Sequence, residues 1–289
     1  MANSITLAQQ YVAVLDQIYK ETSLTAVLDG AEELVREGAN VNELVIPKLA
    51  MDGLADYSRN SGYVAGDVSL TWETVACNFD RGRMFQIDAL DDEESRGIAY
   101  GRLAGEFIRT KVVPEEDAFR IACYAGATGI GSASGTLSTG DAVISALRVA
   151  SNTMDDAEVS KDSRVLFIVP TLKGLVDDLD TTKSKAVLER FSNVIEVPQS
   201  RMYTLIDQYD GTSSGETAGG YVKDANGKDI NFLIVEKSAA IQFTKHVAPK
   251  IIDPDSNQTA DAWKYGYRKV GIADVYENKV AGIYCHHKA

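Results

Sequence analysis

The chain has 289 residues and a formal net charge of −13 at pH 7, with 45% hydrophobic and 25% charged residues. This is the composition of a globular protein that can bury a full core in one or two domains. The negative charge argues against a protein whose main task is to bind the phosphate backbone of nucleic acids.

Cysteine content and hydropathy indicate the compartment. The three cysteines, Cys77, Cys123 and Cys285, are too few and too far apart for a disulfide framework, which favours a reducing environment. No stretch approaches the run of about 18 apolar residues that a spanning helix needs. No basic residue precedes Lys20, so we expect no signal peptide, no cleaved leader and a cytoplasmic protein without membrane contact.

The N-terminus is predicted to form an amphipathic helix of about four turns. One helix face carries its apolar residues, which are Leu7, Tyr11, Val14, Leu15, Ile18 and Tyr19. Such a stripe must be covered, either by the chain's own core or by a neighbouring subunit.

Residues 44–52 are predicted to form a strand, and Pro47 favours an edge position for it. Residues 53–88 are interpreted as an extended two-stranded ribbon in which Val68, Leu70 and Trp72 alternate with polar residues, and residues 81–87 are expected to pair with them. A ribbon of this kind is marginal in water and needs a partner surface.

Two helices are predicted next. Residues 91–94 are four carboxylates, which suit the positive end of a helix dipole, and Pro114 is expected to begin a second helix that ends near Tyr124. The glycines at 97, 101 and 105 weaken the first helix and favour close approach of another backbone.

The second half predicts a mixed α+β fold. Residues 126–140 are interpreted as a linker rich in small residues, and residues 209–220 as a Gly/Ser loop. Asn226-Gly227 is typical of a type I′ hairpin between strands 221–223 and 230–235. The remaining predicted elements are helices at 141–152 and 170–179, strands at 165–169 and 194–197, and the alternating run from Trp263 to Tyr284, which turns at residues 277–279 into a last short strand.

Candidate chemistry has a simpler structural explanation at each position. Residues 126–131 resemble a dinucleotide-binding turn, but a helix is predicted before them where that motif needs a strand. Cys285, His286 and His287 lack the fourth ligand of a structural zinc site and are interpreted as a solvated tail. His246 is interpreted as a packing or surface residue, and residues 91–94 as helix-terminal charge. No catalytic residue, cofactor or metal site is therefore predicted.

Four segments together resemble a family, the major capsid proteins of tailed phages with the Hong Kong 97-like fold. These segments are Phe79–Asp88, Thr110–Ile121, Val165–Pro170, and the run from Ile230 to Tyr284. The resemblance lies in their order and spacing, since none of them is a diagnostic motif alone.

The resemblance implies a layout and a set of partners. Residues 1–40 would be an N-terminal arm, and residues 41–135 would hold the extended loop (53–88, over the adjacent subunit) and the spine helix (91–124) of a peripheral domain. Residues 136–240 would be an axial domain, and 241–289 the return to the peripheral domain. Pentamers and hexamers would tile an icosahedral head in the virion, assembled in the bacterial cytoplasm with a separate scaffolding protein and a portal, around DNA contacted non-specifically. Residues 53–88 contain no lysine, so crosslinking from that loop is not expected.

The predicted subunit-interface residues lie on the arm and the ribbon. They are Leu7, Tyr11, Leu15, Ile18, Val68, Leu70, Trp72, Met84 and Phe85. Three alternatives stay open: an encapsulin-like compartment around a protein cargo, an enzyme whose site is not recognised, and a tail-tube or other virion component.

Overall fold

The computed structural model describes residues 23–29, 36–37, 43–94, 98–179 and 182–289. In chain order the strands are β1 Arg36–Glu37, β2 Glu43–Met51, β3 Val68–Ala76, β4 Phe79–Asp88, β5 Gly131–Ser134, β6 Arg164–Ile168, β7 Asn193–Glu196, β8 Ile206–Gln208, β9 Tyr221–Lys223, β10 Ile230–Glu236, β11 Ala240–Ile252, β12 Ala262–Val275 and β13 Ile283–His287. The α-helices are α1 Ala89–Glu94, α2 Ile98–Phe107, α3 Val113–Gly126, α4 Gly140–Asp156, α5 Pro170–Asp177 and α6 Thr182–Leu188. The predicted α+β class is confirmed.

A three-stranded antiparallel sheet in the order β11-β12-β4 connects the two halves of the chain, because β4 comes from the first half and β11 and β12 from the second. The alternating run predicted from Trp263 forms β12, which pairs with β11 from Ala240↔Val275 to Ile252↔Lys264. Strand β4 pairs along the other side of β12, from Phe79↔Gly271 to Asp88↔Ala262.

The ribbon is built from β2 and β3, which pair from Glu43↔Ala76 to Met51↔Val68. The predicted pairing of residues 68–72 with 81–87 is wrong. Asn78 donates its side-chain N–H to the Ala273 carbonyl (2.7 Å) and accepts the Ala273 N–H (3.1 Å), so the chain crosses to β12 at this point and does not fold back.

Moving the ribbon to residues 43–76 changes two earlier interpretations. Strand β2 lies between β1 and β3 in the sheet, so it is not an edge strand along its whole length. The described pairing with β1 ends at Val45, and the predicted edge position of Pro47 therefore applies only to the part of β2 beyond Val45. Lys48 now lies on the ribbon, opposite Thr71, so the argument against a ribbon-borne lysine crosslink no longer holds.

One helical run spans residues 98–126. Helices α2 and α3 are joined by a five-residue π-helical segment, Ile108–Val112, where the sequence predicts a new helix starting at Pro114. Proline lacks an N–H and crowds the carbonyl of the preceding turn. The wider π turn accommodates Pro114, and the Thr110 hydroxyl donates to the Glu106 carbonyl (2.7 Å) within it.

The second half is organised around a five-stranded sheet in the order β5-β13-β10-β6-β7. Every residue of β6 and β10 is buried. Helices α4 and α5 cover one face through residues such as Leu147 and Val176, and the other face packs against Tyr124 of α3. Strand β5, which pairs in parallel with β13, occupies part of the predicted 126–140 linker.

The predicted hairpin at Asn226-Gly227 is wrong. Strand β9 pairs with β8, and β10 pairs with β6 and β13. The turn closes from the Gly227 N–H to the Asp224 carbonyl (2.9 Å), and neither Asn226 nor Gly227 has the positive φ that a type I′ turn needs. Lys228 instead exchanges backbone and hydroxyl hydrogen bonds with Thr204, which directs the chain away from β9.

The predicted solvated tail is also wrong, because Cys285 and His286 lie in β13 inside the five-stranded sheet and are buried. Asn231 Nδ2 lies 2.9 Å from His286 Nδ1 and 2.9 Å from the Gly135 carbonyl, and the imidazole stacks on Phe232. A Cys-His-His run at a chain end has no periodicity to reveal a strand. Its burial comes from pairing with β10, which lies about 50 residues earlier.

Candidate functional site

Two kinds of reactive group are relevant in the described residues, metal-binding clusters and reactive thiols. Among them, no group of three or more His, Cys, Asp or Glu side chains is placed to hold a metal ion. The three cysteines are free, and burial raises the pKa of the Cys123 and Cys285 thiols to about 12, which disfavours the nucleophilic thiolate. Within the described part, no helix has the length and apolar content needed to cross a bilayer.

The conspicuous surface feature is the ribbon of residues 43–76. Val68, Leu70 and Trp72 are 65%, 55% and 45% exposed, and they alternate along one face of β3. At the base of the ribbon, Val75 is buried against Ile241 and Ile272. The ribbon is therefore attached to the body at one end and presents apolar side chains to solvent along its length.

The tip of the ribbon adds a second group of exposed apolar side chains. Its ladder continues past β2 through Asp52 and Asp67, and an isolated bridge between Ser58 and Gly62 closes the turn. Tyr57 and Tyr63 meet edge-on with ring centroids 4.9 Å apart and remain exposed. Leu54, Val64 and Met51 are exposed as well.

The predicted interface residues fall in three places. Val68, Leu70 and Trp72 lie together on the ribbon, while Met84 is exposed on β4 and Phe85 is half-buried against Phe107 of its own chain, at 4.8 Å between rings. The arm residues Leu7, Tyr11, Leu15 and Ile18 lie outside the described residues. Sequence reasoning missed the tip residues because residues 53–66 show no alternation, although two tyrosines in a Gly/Asp-rich loop were a usable signal.

A buried ionic network joins the helical run to the sheet of β11, β12 and β4. Glu116 of α3 accepts from Lys269 of β12 (2.7 Å) and from Arg120 (2.7 Å), and all three side chains are buried. Burial lowers the pKa of Lys269, while the charge of Glu116 opposes that shift. The network holds α3 against β12. Removing one of its partners would leave a buried charge uncompensated, so separating the helix from the sheet is costly.

The Gly/Ser loop of residues 209–220 is held against β4 by two arginines. Arg81 pairs with Glu115 (2.7 Å) and donates to the carbonyls of Tyr209 and Gly220, which are the two ends of the loop. Arg83 donates to the Thr217 carbonyl (2.9 Å). Inside the loop, bonds from the Ser213 hydroxyl and from the Ser213 and Thr212 amides lower the pKa of Asp210.

Between this loop, β4 and the helical run lies a groove of about 1080 Å³. Apolar side chains such as Phe85, Phe107 and Tyr267 line it, together with the basic residues Arg83 and Lys111. The ribbon and the groove each combine solvent-accessible apolar groups with a defined shape.

No protein-family model matches the chain, and no curated protein matches it in sequence. Solved structures do match. A chain from Gordonia phage Cozz superposes with a TM-score of 0.63 at 13% identity, covering 93% of this chain and 87% of that one. The capsid of cyanophage P-SCSP1u matches at 0.58 and 13% identity, covering 88% and 85%.

A virus-like particle from Pyrococcus furiosus also matches, with a TM-score of 0.54 at 9% identity, covering 93% of this chain and 98% of that one. At these identities the similarity concerns the fold. The chain has the Hong Kong 97-like fold of tailed-phage capsid proteins.

Proposed function

We propose that this protein is a phage major capsid protein, whose subunits assemble into pentamers and hexamers and close into an icosahedral head around the genome. The observation that carries the proposal is the ribbon, because its apolar face and tip are exposed on a fold that similar chains use in capsids. The protein is then a structural component of the virion and not an enzyme.

The proposed layout follows the resemblance with the bounds of two elements revised, which are the extended loop and the spine. The extended loop is the ribbon of residues 43–76 in place of 53–88, and the helical run 98–126 is the spine. Residues 1–40 remain the proposed arm, 136–240 the proposed axial domain, and 241–289 the proposed return to the peripheral domain. A scaffolding protein, a portal and packaged DNA remain the proposed partners.

The driving force for assembly is apolar burial. Covering a large apolar side chain contributes roughly 1.5–3 kcal/mol. Among the ribbon side chains that the structure describes, eight large apolar ones are exposed: Met51, Leu54, Tyr57, Tyr63, Val64, Val68, Leu70 and Trp72. Ordering the ribbon on a neighbour offsets part of that gain. Modest contacts become strong when each subunit makes several of them in a closed shell.

The net charge of −13 suits a shell that contains DNA and does not bind it tightly. Like charges on the wall and the phosphates disfavour non-specific adhesion, and the effect weakens with salt because of screening.

The test compares wild type with Trp72→Asp and with Ser69→Asp, which places the same charge on the opposite face of β3. Purified protein is imaged by electron microscopy, and the same fraction is measured by light scattering. We expect uniform closed shells from wild type and from Ser69→Asp, and folded, unassembled subunits from Trp72→Asp. Normal shells from Trp72→Asp would reject this role of the ribbon. A wild-type monomer that resists assembly even with a co-expressed scaffold would reject the capsid function.

An encapsulin-like compartment is the second candidate, because a solved structure that is named as a virus-like particle and not as a phage capsid, from Pyrococcus furiosus, is matched over 98% of its chain. The two functions differ in the contents of the shell. Nucleic acid in shells purified from infected or induced cells supports the phage head, whereas a stoichiometric co-purifying enzyme supports the compartment.

A further inference from the structure

A side chain of β10 reaches past β13 to the chain that follows the edge strand β5. The register between β10 and β13 shifts between Ile230 and Phe232, so Asn231 lies in a bulge. A bulge turns a side chain out of the regular alternation of its strand. The buried Asn231 side chain places its Nδ2 2.9 Å from His286 Nδ1 and 2.9 Å from the Gly135 carbonyl. One amide group thus connects β10, β13 and the end of β5.

The contacts of Asn231 determine which nitrogen of the His286 ring carries the hydrogen. A carbonyl only accepts hydrogen bonds, so the atom of Asn231 that faces Gly135 must be the donating NH₂ group. The second N–H of that group donates to Nδ1 of His286. Nδ1 is then unprotonated, and the neutral ring carries its hydrogen on Nε2. The arrangement therefore requires the neutral form of His286.

Protonation of His286 is incompatible with keeping both bonds of Asn231. The charged ring has an N–H at each nitrogen, so an N–H of His286 would face an N–H of Asn231. If the amide turns over to accept from the ring, its oxygen faces the Gly135 carbonyl, and two acceptors form no bond. Asn231 can therefore bond to the charged ring or to Gly135, but not to both. The contact with Gly135 is thus linked to the charge of the ring.

The surroundings of His286 disfavour a positive charge. Burial lowers the pKa of the ring most, and the charge of His287 lowers that pKa further. Strand β5 carries no charged side chain. The titratable and charged side chains of the other elements packed here are Tyr284, Cys285, His287 and Lys288 on or beside β13, Asp229 and Glu236 at the ends of β10, and Asp141, Arg148, Asp155 and Asp156 on α4. Of these carboxylates, Asp229 already pairs with Lys223 and Lys288.

The edge strand β5 is the element that can yield when the ring becomes charged. It pairs on one side only, with β13, along Gly131–Ser134. Beyond the strand, Gly135 donates its N–H to the His287 carbonyl (3.0 Å) and accepts the bond from Asn231. Strand β13 lies between β5 and β10, so it keeps one partner if β5 leaves. Loss of the Asn231 bond therefore weakens one end of a short edge strand.

We propose that Asn231 and His286 form a pH-sensitive latch on β5. With the ring neutral, the latch fixes Gly135 and holds β5 against β13. Protonation of the ring opens the latch, and residues 131–139 leave the sheet while β13, β10 and β6 remain paired. Opening exposes the backbone edge of β13, to which a strand of another chain can pair. The latch lies within one subunit, so it goes beyond the proposed shell and does not depend on it.

Hydrogen exchange on the full-length, unassembled subunit tests the latch. Protection factors, which are corrected for the intrinsic pH dependence of exchange, are compared at pH 7.5 and 5.5. In the open state the ring regains its ordinary pKa of about 6.5, so opening is favoured about tenfold at one pH unit below that value. We expect protection of residues 131–135 to fall about tenfold in wild type, and protection of residues 165–168 in β6 to stay within about twofold.

Two matched variants assign the effect to one histidine. The side chain in His286→Gln can still accept from Asn231 but takes up no proton in this range, so protection of residues 131–135 should be equal at both pH values. His287→Gln removes the neighbouring histidine and should keep the tenfold fall. No fall in wild type, an equal fall in His286→Gln, or an equal fall over residues 165–168 would overturn the proposal.

Nitrogen NMR of the histidine rings gives a readout that remains available if His286→Gln does not fold. The chain has 3 histidines, so selective ¹⁵N labelling gives few signals. At pH 7.5 we expect His286 with its hydrogen on Nε2, and below about pH 6.5 we expect the ring to titrate together with the amide signals of residues 131–135. A hydrogen on Nδ1 at pH 7.5, or ring titration without change in those amides, would overturn the latch. Shell formation is scored separately by microscopy, so neither result decides the other.

Discussion

The ribbon of residues 43–76 and the five-stranded sheet use the same kinds of side chain in opposite ways. In β10 every residue is buried, whereas on β3 Val68, Leu70 and Trp72 are all substantially exposed. Apolar alternation is a local property, but burial depends on what lies opposite. The sheet stabilises the subunit, and the ribbon leaves its apolar surface for another molecule to cover.

The largest expected difference comes from truncating one aromatic ring in each region. Phe167 in β6 is fully buried, so Phe167→Ala should destabilise the unassembled subunit by about 3–5 kcal/mol in urea denaturation. Tyr63→Ala at the ribbon tip should change it by less than about 0.5 kcal/mol. Similar losses for both variants would mean that the ribbon is part of the subunit's own core.

The same contrast between buried and exposed positions is expected for two carboxylates, Asp117 and Asp177. Asp117→Asn keeps the side-chain shape but turns a donor towards Arg201 and the amides of residues 24–25, so it should cost about 1–3 kcal/mol. Asp177→Asn, which loses an exposed pair with Lys173, should cost about 0–1 kcal/mol. Limited proteolysis at residues 23–29 should accelerate only in the first variant, and unchanged proteolysis would show that this segment is held by other contacts.

Lowering the pH should reduce the stability of the folded subunit, because it protonates His286 in the five-stranded sheet. Burial, and secondarily the charge of His287, lower the pKa of His286 below its ordinary value, so the folded state favours the neutral ring. The stabilisation is complete above the unfolded pKa of about 6.5 and is lost as the pH falls towards the folded pKa. The urea midpoint should therefore drop between about pH 7.5 and 5.5, and His286→Gln should reduce that drop. An equal drop in the variant would show that the effect does not come from His286.

The smallest effect is expected for the exposed pair between Arg268 and Asp80, at 2.6 and 2.8 Å on β12 and β4. Arg268→Ala should lower the urea midpoint only slightly, and the loss should shrink with added salt, although the adjacent Lys269 is buried in an ionic network. A loss of stability as large as that of Asp117→Asn, and independent of salt, would contradict the expectation that an exposed ion pair contributes little.

Elements with strong local periodicity were predictable. Strands β6 and β12, helices α4 and α5 and the apolar face of Val68, Leu70 and Trp72 follow from residue spacing alone. Their partners were not predictable, because pairing depends on contacts far apart in sequence. Asn78 bonds to Ala273, about 195 residues away. This contact takes the chain out of the ribbon and across to β12, so the ribbon comprises residues 43–76 and not the predicted 53–88.

The sequence by itself determined the α+β class, most element positions and the presence of an apolar ribbon, because each depends on patterns within about ten residues. Only the tertiary structure decided that β4 joins β12, that Asn226-Gly227 is no hairpin and that Cys285 and His286 lie inside a sheet. It also decided which of the predicted interface residues are free to meet another molecule: Trp72 is exposed, while Phe85 packs against Phe107. The physical reason is that hydrogen-bond partners and burial are set by segments far apart in the chain, which no local pattern encodes.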